Sequence, residues 1–345
     1  MLYISFLISL EWSDRDIYPY IEYIPMFEAR RVYFSGKSSY IITLPKNWVK
    51  GNGIKAGDEV LMKIGKDFIT IYPKIVKSGK IAFIDAKDLR MESLLRRIIS
   101  YYLAGFDTIR IKIYNEEHRR AVVKSSEILM GAEVVEDLGK EIVMEIFLDN
   151  TRLKTRVILE RMANTCVGMV SDFCNALRRF DKFVCTSIMA RENEVDRMHF
   201  LLLRQLKLAS MHADIAATLE IPIESVHEYR TVVRSLERIA DHAYKMAENL
   251  LKLEKSADEL CDFVNLDIDM LSTAVIAFLN NETDLAEEVL EDFDRVAEIE
   301  NRMYEIVLTR EIEEALLLKS ILDSLSRIAS YSADIAEVVI NLAVQ

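Results

Sequence analysis

Helix breakers are scarce in this chain. Proline occurs 5 times and glycine 10 times in 345 residues, and so few breakers over such a length favour long helices. Cysteine occurs 4 times, at Cys166, Cys174, Cys185 and Cys261, with no Cys-x-x-Cys pair. Reduced, buried thiols in a cytoplasmic setting are the simple reading. No apolar run approaches the roughly 18 residues that a membrane-spanning helix needs, so membrane insertion is not expected. The opening stretch, MLYISFLISL, is apolar but short. It lacks a basic flank and a small-residue cleavage site, which argues against a signal peptide. Residues 1–25 are expected to lie outside the fold, with Met26 as the biological start; mass spectrometry of the native N-terminus separates Met1 from Met26. Histidine is also rare, with 5 residues between His118 and His242. His212 and His227 read as ordinary helix residues. No Ser/His/Asp or Cys/His spacing marks a nucleophile, and the chain reads as a regulator rather than an enzyme.

Charge is plentiful but uneven. The net charge is −12, yet residues 26–80 carry 11 Lys/Arg against 4 Asp/Glu, so a basic head precedes an acidic body. Such asymmetry suits two different partners, a polyanion for the head and cations or basic surfaces for the body.

Pattern divides the chain further. Stretches 31–34, 40–44, 59–64 and 68–72 are short, β-branched and aromatic, and are predicted as strands. Gly36, Gly51, Gly53, Gly57 and Gly65 supply turns between them, and Pro45 opens a helical turn. A unit this small buries its own faces poorly, so it is expected to dimerise. Residues 76–150 alternate strand and helix: strands at 80–85, 108–114, 133–137 and 141–148, helices at 88–104 and 116–130. That order predicts a small α/β domain. From Thr151 onward there are only Gly168 and Pro222. Apolar residues recur at three- and four-residue spacing, as in Leu236, Ile239, Ala240, Ala243, Met246, Ala247 and Leu250. Six helices are predicted, over 151–178, 181–218, 223–253, 257–280, 282–309 and 312–343. Leu236-Glu237-Arg238-Ile239-Ala240 returns 89 positions later as Leu325-Ser326-Arg327-Ile328-Ala329. The array therefore reads as two related three-helix bundles, 151–254 and 255–345.

The basic head, residues 26–75, has a specific order. Arg30-Arg31-Val32 is followed by Gly36-Lys37-Ser38, Thr43-Leu44-Pro45-Lys46-Asn47-Trp48-Val49 and then Gly57-Asp58-Glu59-Val60. Over about 45 residues this resembles the AbrB/SpoVT swapped-hairpin domain. The resemblance implies an intertwined dimer that presents Arg30, Arg31, Lys37, Lys46 and Lys50 to DNA. Such contacts go chiefly to phosphates, so affinity falls with salt; a module that only dimerises is the plainer alternative. Gly36-Lys37-Ser38 is not the end of a phosphate-binding loop, because Arg31 stands where such a loop needs glycine and a strand follows instead of a helix.

The helical body contributes carboxylates. Glu192 and Asp196 are spaced i, i+4, as are Glu237 and Asp241. Each pair shares a helix face, where like charges repel unless a cation lies between them. Oxygen donors suit Mg, Ca or Mn; Fe or Zn would bring histidine, and His199 and His242 are the nearest. Plain surface charge is the alternative, with Arg191, Arg197 and Arg238 as counterions. Glu192-Asn193-Glu194-Val195-Asp196 and Glu237-Arg238-Ile239-Ala240-Asp241 resemble the E(D)xxxD signatures of PhoU, the phosphate-uptake regulator. The resemblance spans 151–345 as two tandem repeats. It implies an iron or zinc cluster on the bundle and contact with a phosphate-transporter ATPase complex or its sensor kinase. The second repeat departs from the pattern: Ser326 and Ser330 replace Glu237 and Asp241, and although Glu298 and Glu300 remain, Val296 stands four positions before Glu300. At most one metal site is expected.

The expected protein is thus multidomain and mainly α: a β-rich swapped-hairpin head, a small α/β middle domain and two PhoU-like bundles. It is read as a dimeric, DNA-binding negative regulator of phosphate uptake and signalling. The first rival is a scaffold that inhibits a phosphate ABC transporter without touching DNA. The second, a carboxylate-bridged metal enzyme, lacks the Glu-x-x-His pairs of ferritin-like sites.

Overall fold

The computed structural model describes residues 28–36, 39–64, 69–73, 79–148 and 153–344. The expectations for residues 1–25 and for Lys37 fall outside these. The chain separates into two compact units, 1–60 and 61–345.

In the first unit β1 (Val32–Ser35) pairs antiparallel with β2 (Ser39–Ile42), Phe34 opposite Tyr40. Gly36 makes the turn at φ 66°, a conformation glycine adopts without steric cost. Phe34 and Tyr40 meet edge to face, centroids 5.2 Å apart. Helix α1 (Lys46–Gly51) follows Pro45. Not one described residue between 28 and 60 is buried. Val32, Phe34 and Tyr40 are 61–75% exposed, so the described residues of this unit form no buried core among themselves.

The second unit opens within β3 (Val60–Ile64), which pairs with β4 (Ile69–Pro73). A middle domain follows: β5 (Ile81–Asp85), α2 (Met91–Leu103), β6 (Thr108–Lys112), α3 (Glu116–Ile128), β7 (Ala132–Asp137) and β8 (Glu141–Ile146). Its sheet order is β5-β6-β8-β7, with β5 and β6 parallel and the other pairs antiparallel. One sheet face and the two helices enclose a core of its own, including Ile84, Leu94, Ile98, Tyr102, Ile109, Ile111 and Met144.

The helical body comprises α4 (Thr155–Arg179), α5 (Lys182–Met211), α6 (Ala213–Leu219), α7 (Val226–Leu253), α8 (Cys261–Asn280), α9 (Thr283–Asp294), α10 (Val296–Val307) and α11 (Ile312–Ala343). Helices α4, α5 and α7 pack as one bundle, and α8, α9 and α11 as a second. The two join along α7 against α11 and α4 against α8, over one continuous apolar core. Two predicted helices are interrupted. The segment read as 181–218 breaks at His212, which is extended (φ −135°, ψ 107°). That read as 282–309 breaks at Arg295, whose backbone stays helical (φ −88°, ψ −14°), so the apolar periodicity runs through undisturbed.

The middle domain is fixed to α5. Arg204, 3% exposed, donates to the carbonyl oxygens of Tyr102 and of Phe106 (2.9 Å) and pairs with Asp107 at 3.2 Å. Its guanidinium also lies over the Tyr102 ring, 5.0 Å from the centroid. Burial presses the Arg204 pKa down, and the Tyr102 and Asp107 side chains oppose that effect. Gly105, at φ +83°, presents its bare Cα to Leu208; a Cβ there would stand 2.5 Å from Leu208 Cδ2. Leu208 lies one helical turn beyond Arg204, so one short stretch of α5 forms the joint.

Candidate metal centre and charged head

The two acid pairs lie on neighbouring helices. Glu192 and Asp196 are on α5, Glu237 and Asp241 on α7, and these helices pack side by side. All four are half-buried, because the polar i, i+4 positions fall at the margin of the apolar stripes that pack the bundle. Burial and mutual repulsion act together. Asp196 is pushed up to about 7 by burial and then by Glu192, Asp241 and Glu237. Glu192 is raised by burial, Asp241 and Glu237. Asp241 is raised by burial and Glu237, against a pull downward from Arg238 and His199. The predicted residues therefore share one electrostatic environment.

They do not form a preassembled coordination shell. Among the described residues no three acidic, histidine or cysteine side chains are grouped to hold a metal ion. Arg238 partly neutralises the site, with Nη1 3.3 Å from Asp241 and Nε 3.5 Å from Glu237. Arg191 pairs with Asp172 instead. His199 is buried beside the cluster, and burial drives its pKa down to about 4, so the ring is neutral. Its Nδ1 has no hydrogen-bond partner among the described residues. His242 points to different surroundings: its ring lies 6.0 Å from that of Tyr331. Burial, then Lys245, Arg327 and Arg238, lower its pKa to about 4, and those cations make it a poor ligand position.

In the second repeat the counterpart face has no acid pair on α11. Ser330 donates its hydroxyl to the Ser326 carbonyl at 2.8 Å, as helix serines commonly do. Glu298 pairs with Arg302 on its own helix.

In the head, Lys46 and Lys50 are exposed on α1, and Arg31 is exposed before β1. Arg30 is held by Glu28. Sequence reasoning did not single out Arg204, whose partners lie 97–102 residues away and leave no local signal.

A tandem pair of helical bundles carrying a strand-rich head defines the class. The particular family follows from comparison: the chain matches the PhoU domain at residues 159–250 and again at 260–339. It is a two-repeat PhoU-domain protein. Residues 33–78 match the bacterial antitoxin family described as antidote-toxin recognition MazE. Two solved structures are similar. PhoU from Pseudomonas aeruginosa is 22% identical, with TM-score 0.45, covering 55% of this chain and 95% of that one. The phosphate transport system regulatory protein PhoU from Streptococcus pneumoniae is 19% identical, with TM-score 0.48, covering 55% and 93%. No curated protein matches the chain. Residues 79–148 fall outside both matched domains. Among the described residues no helix is long and apolar enough to cross a membrane.

Proposed function

We propose that the protein is a dimeric, phosphate-responsive regulator that binds DNA through its head and represses phosphate uptake or its signalling. The supporting observation is a head with exposed apolar strands and exposed cations, on the same chain as two PhoU domains. Val32, Phe34, Tyr40 and Ile42 expose large apolar surface, which a second copy would cover. Pairing two heads doubles the set Arg31, Lys46 and Lys50, matching two half-sites on a duplex. The helical body would dock on a phosphate-transporter ATPase complex or a sensor kinase.

The acid cluster is proposed to hold a divalent cation, iron or zinc, between Glu192, Asp196, Glu237 and Asp241. The donor set fits in charge, since each raised carboxylate is relieved by a cation, and His199 offers one further nitrogen. The bound ion would supply positive charge that ties α5 to α7. Metal content should fall on Asp241→Ala, measured by elemental analysis; unchanged content refutes the assignment.

DNA binding is tested with the full chain at two salt concentrations. Each phosphate contact contributes about −0.9 to the slope of log affinity on log salt. Removing Lys46 and Lys50 should therefore flatten that slope by roughly 2 per head. The scaffold reading, in which the head only clamps two copies together, draws on Arg30 already being occupied by Glu28. It predicts no complex even at low salt.

A further inference from the structure

Two of the four cysteines lie side by side where the helical repeats join. Cys174 is near the end of α4, and Cys261 is the first residue of α8. The Cys261 thiol donates to the Cys174 main-chain oxygen at 3.8 Å, which sets the two residues against one another. The Cys174 thiol in turn donates to Asn265 Oδ1 at 3.6 Å. The connector between the repeats is pinned at the same place, since the Ala257 N–H donates to the Leu177 carbonyl at 2.9 Å. The pair is shallow: Cys174 is 4% and Cys261 6% exposed, and the neighbouring Arg178 and Asn265 are exposed. The remaining cysteines differ. Cys166 and Cys185 are both fully buried, and the Cys166 thiol is held by the Leu236 carbonyl at 3.3 Å.

We propose that Cys174 and Cys261 form an oxidisable dithiol that closes to a disulfide and joins repeat 1 to repeat 2. The oxidant is a small hydroperoxide. The Cys261 thiolate attacks the O–O bond and becomes a sulfenic acid, and the departing alkoxide or hydroxide takes up a proton. The Cys174 sulfur then attacks the sulfenyl sulfur, gives up its own proton and releases water. Two thiols and one hydroperoxide thus yield one disulfide, one alcohol (or water) and one water, with both electrons accepted by the broken O–O bond.

The Cys261 sulfur has a charged neighbour. Cys261 stands at a helix N-terminus beside the Arg178 guanidinium, both of which favour a thiolate. Burial prevails over them, with the Cys174 thiol adding to the effect, and the Cys261 pKa is pushed up to about 11. The pair therefore reacts slowly at neutral pH and about tenfold faster for each unit of alkalinity below that value, since the thiolate is the nucleophile.

The test uses the intact native protein, treated with hydrogen peroxide at pH 8.5, quenched with iodoacetamide and digested for mass spectrometry. The expected product is 2 Da lighter than the reduced chain by the loss of two hydrogens. It should contain a cross-linked peptide holding Cys174 and Cys261 and revert with dithiothreitol. Closing so long a loop should also raise the melting temperature by on the order of 5–10 °C. Cys166→Ser and Cys185→Ser should leave the cross-link intact. Cys174→Ser should abolish it and leave a sulfenic acid on Cys261 that dimedone traps. Oxidation that leaves both thiols alkylatable, or that links a different pair, overturns the proposal.

Discussion

Replacing Arg204 with methionine tests whether the middle domain is held to the helical body by that one side chain. Methionine keeps an apolar stem and removes the guanidinium. Three polar contacts disappear, to the carbonyls of Tyr102 and Phe106 and to Asp107, together with the stacking over Tyr102. The Tyr102 carbonyl keeps a second donor, the Gly105 N–H at 3.0 Å. The pair with Asp107 counts for little because that carboxylate is 49% exposed, where solvent screens it. The main loss is the charge-assisted bonding of the Tyr102 and Phe106 carbonyls at a buried joint. Such bonds contribute roughly 1.5–3 kcal/mol each, and no longer desolvating the cation returns part of that. The net cost is about 2–4 kcal/mol. Two assays check it. Urea unfolding of the full chain should show an earlier loss of the middle domain. Amide exchange should rise over residues 99–107 and 200–208 while α11 keeps its protection. Arg197→Met, exposed on the same helix, is the control. If Arg204→Met unfolds and exchanges like the control, the joint lies elsewhere and the reasoning fails.

Three further outcomes follow from the same geometry. Gly105→Ala forces a left-handed backbone and a 2.5 Å approach to Leu208, so it should cost about 1–3 kcal/mol. Adding Leu208→Ala should recover only the steric part, which calorimetry of the double variant reads. Asp196 is raised to about 7 in the folded chain from the usual carboxylate range near 4. In metal-free protein its contribution is therefore present at acid pH and lost as pH rises through about 7. Its partial exposure reduces the effect to about 1–2 kcal/mol. Asp196→Asn should flatten the fall in melting temperature between pH 5 and 8 in EDTA; parallel curves would contradict the repulsive cluster. Asp267 is fully buried in α8 without a hydrogen-bond partner among the described residues, and burial holds its pKa well above the usual range. As pH rises above the usual carboxylate range the unfolded chain ionises at this position while the folded acid stays neutral, so its contribution to stability is present at acid pH and falls as pH rises. Asp267→Asn should flatten that fall, and parallel curves of melting temperature against pH for the two proteins would refute the assignment.

What could be read from the sequence has a physical boundary. Periodicity located the long helices because burial of an apolar stripe is written residue by residue. It could not show the break at His212, where the backbone is extended and no proline or glycine stands to mark it. The helix ends expected at 218 and 253 fall beside Glu220 and Glu254, which adopt left-handed conformations (φ 60° and 53°) without the glycine or asparagine that usually marks them. Asn281, at φ 57°, does follow that rule. The acids Glu192, Asp196, Glu237 and Asp241 were legible through i, i+4 spacing, since helical geometry alone puts each pair on one face. Their approach across two helices was visible only through resemblance. Arg238, one of the expected counterions, reaches Asp241 at i, i+3 spacing, whereas Arg191 pairs with Asp172 on α4, a choice between helices that spacing does not encode.

Helix α5 places two unrelated chemistries on one rod. Glu192 and Asp196 lie toward its N-terminal half, and Arg204 and Leu208 toward its C-terminal half. Asp196 and Arg204 are 8 positions apart, about 12 Å along the axis. The acid cluster is repulsive, so its charge state bears on how closely α5 approaches α7. The joint at Arg204 is bonded to main-chain carbonyls of the middle domain, so that domain cannot shift freely relative to α5. A displacement of α5 at the acids would therefore reach the end of α2 through the Arg204 contacts. The remaining requirement for coupling is that α5 have two arrangements against α7 that a bound cation distinguishes. The half-exposed Arg238, paired with both Asp241 and Glu237, is the positive charge that any such cation would have to compete with.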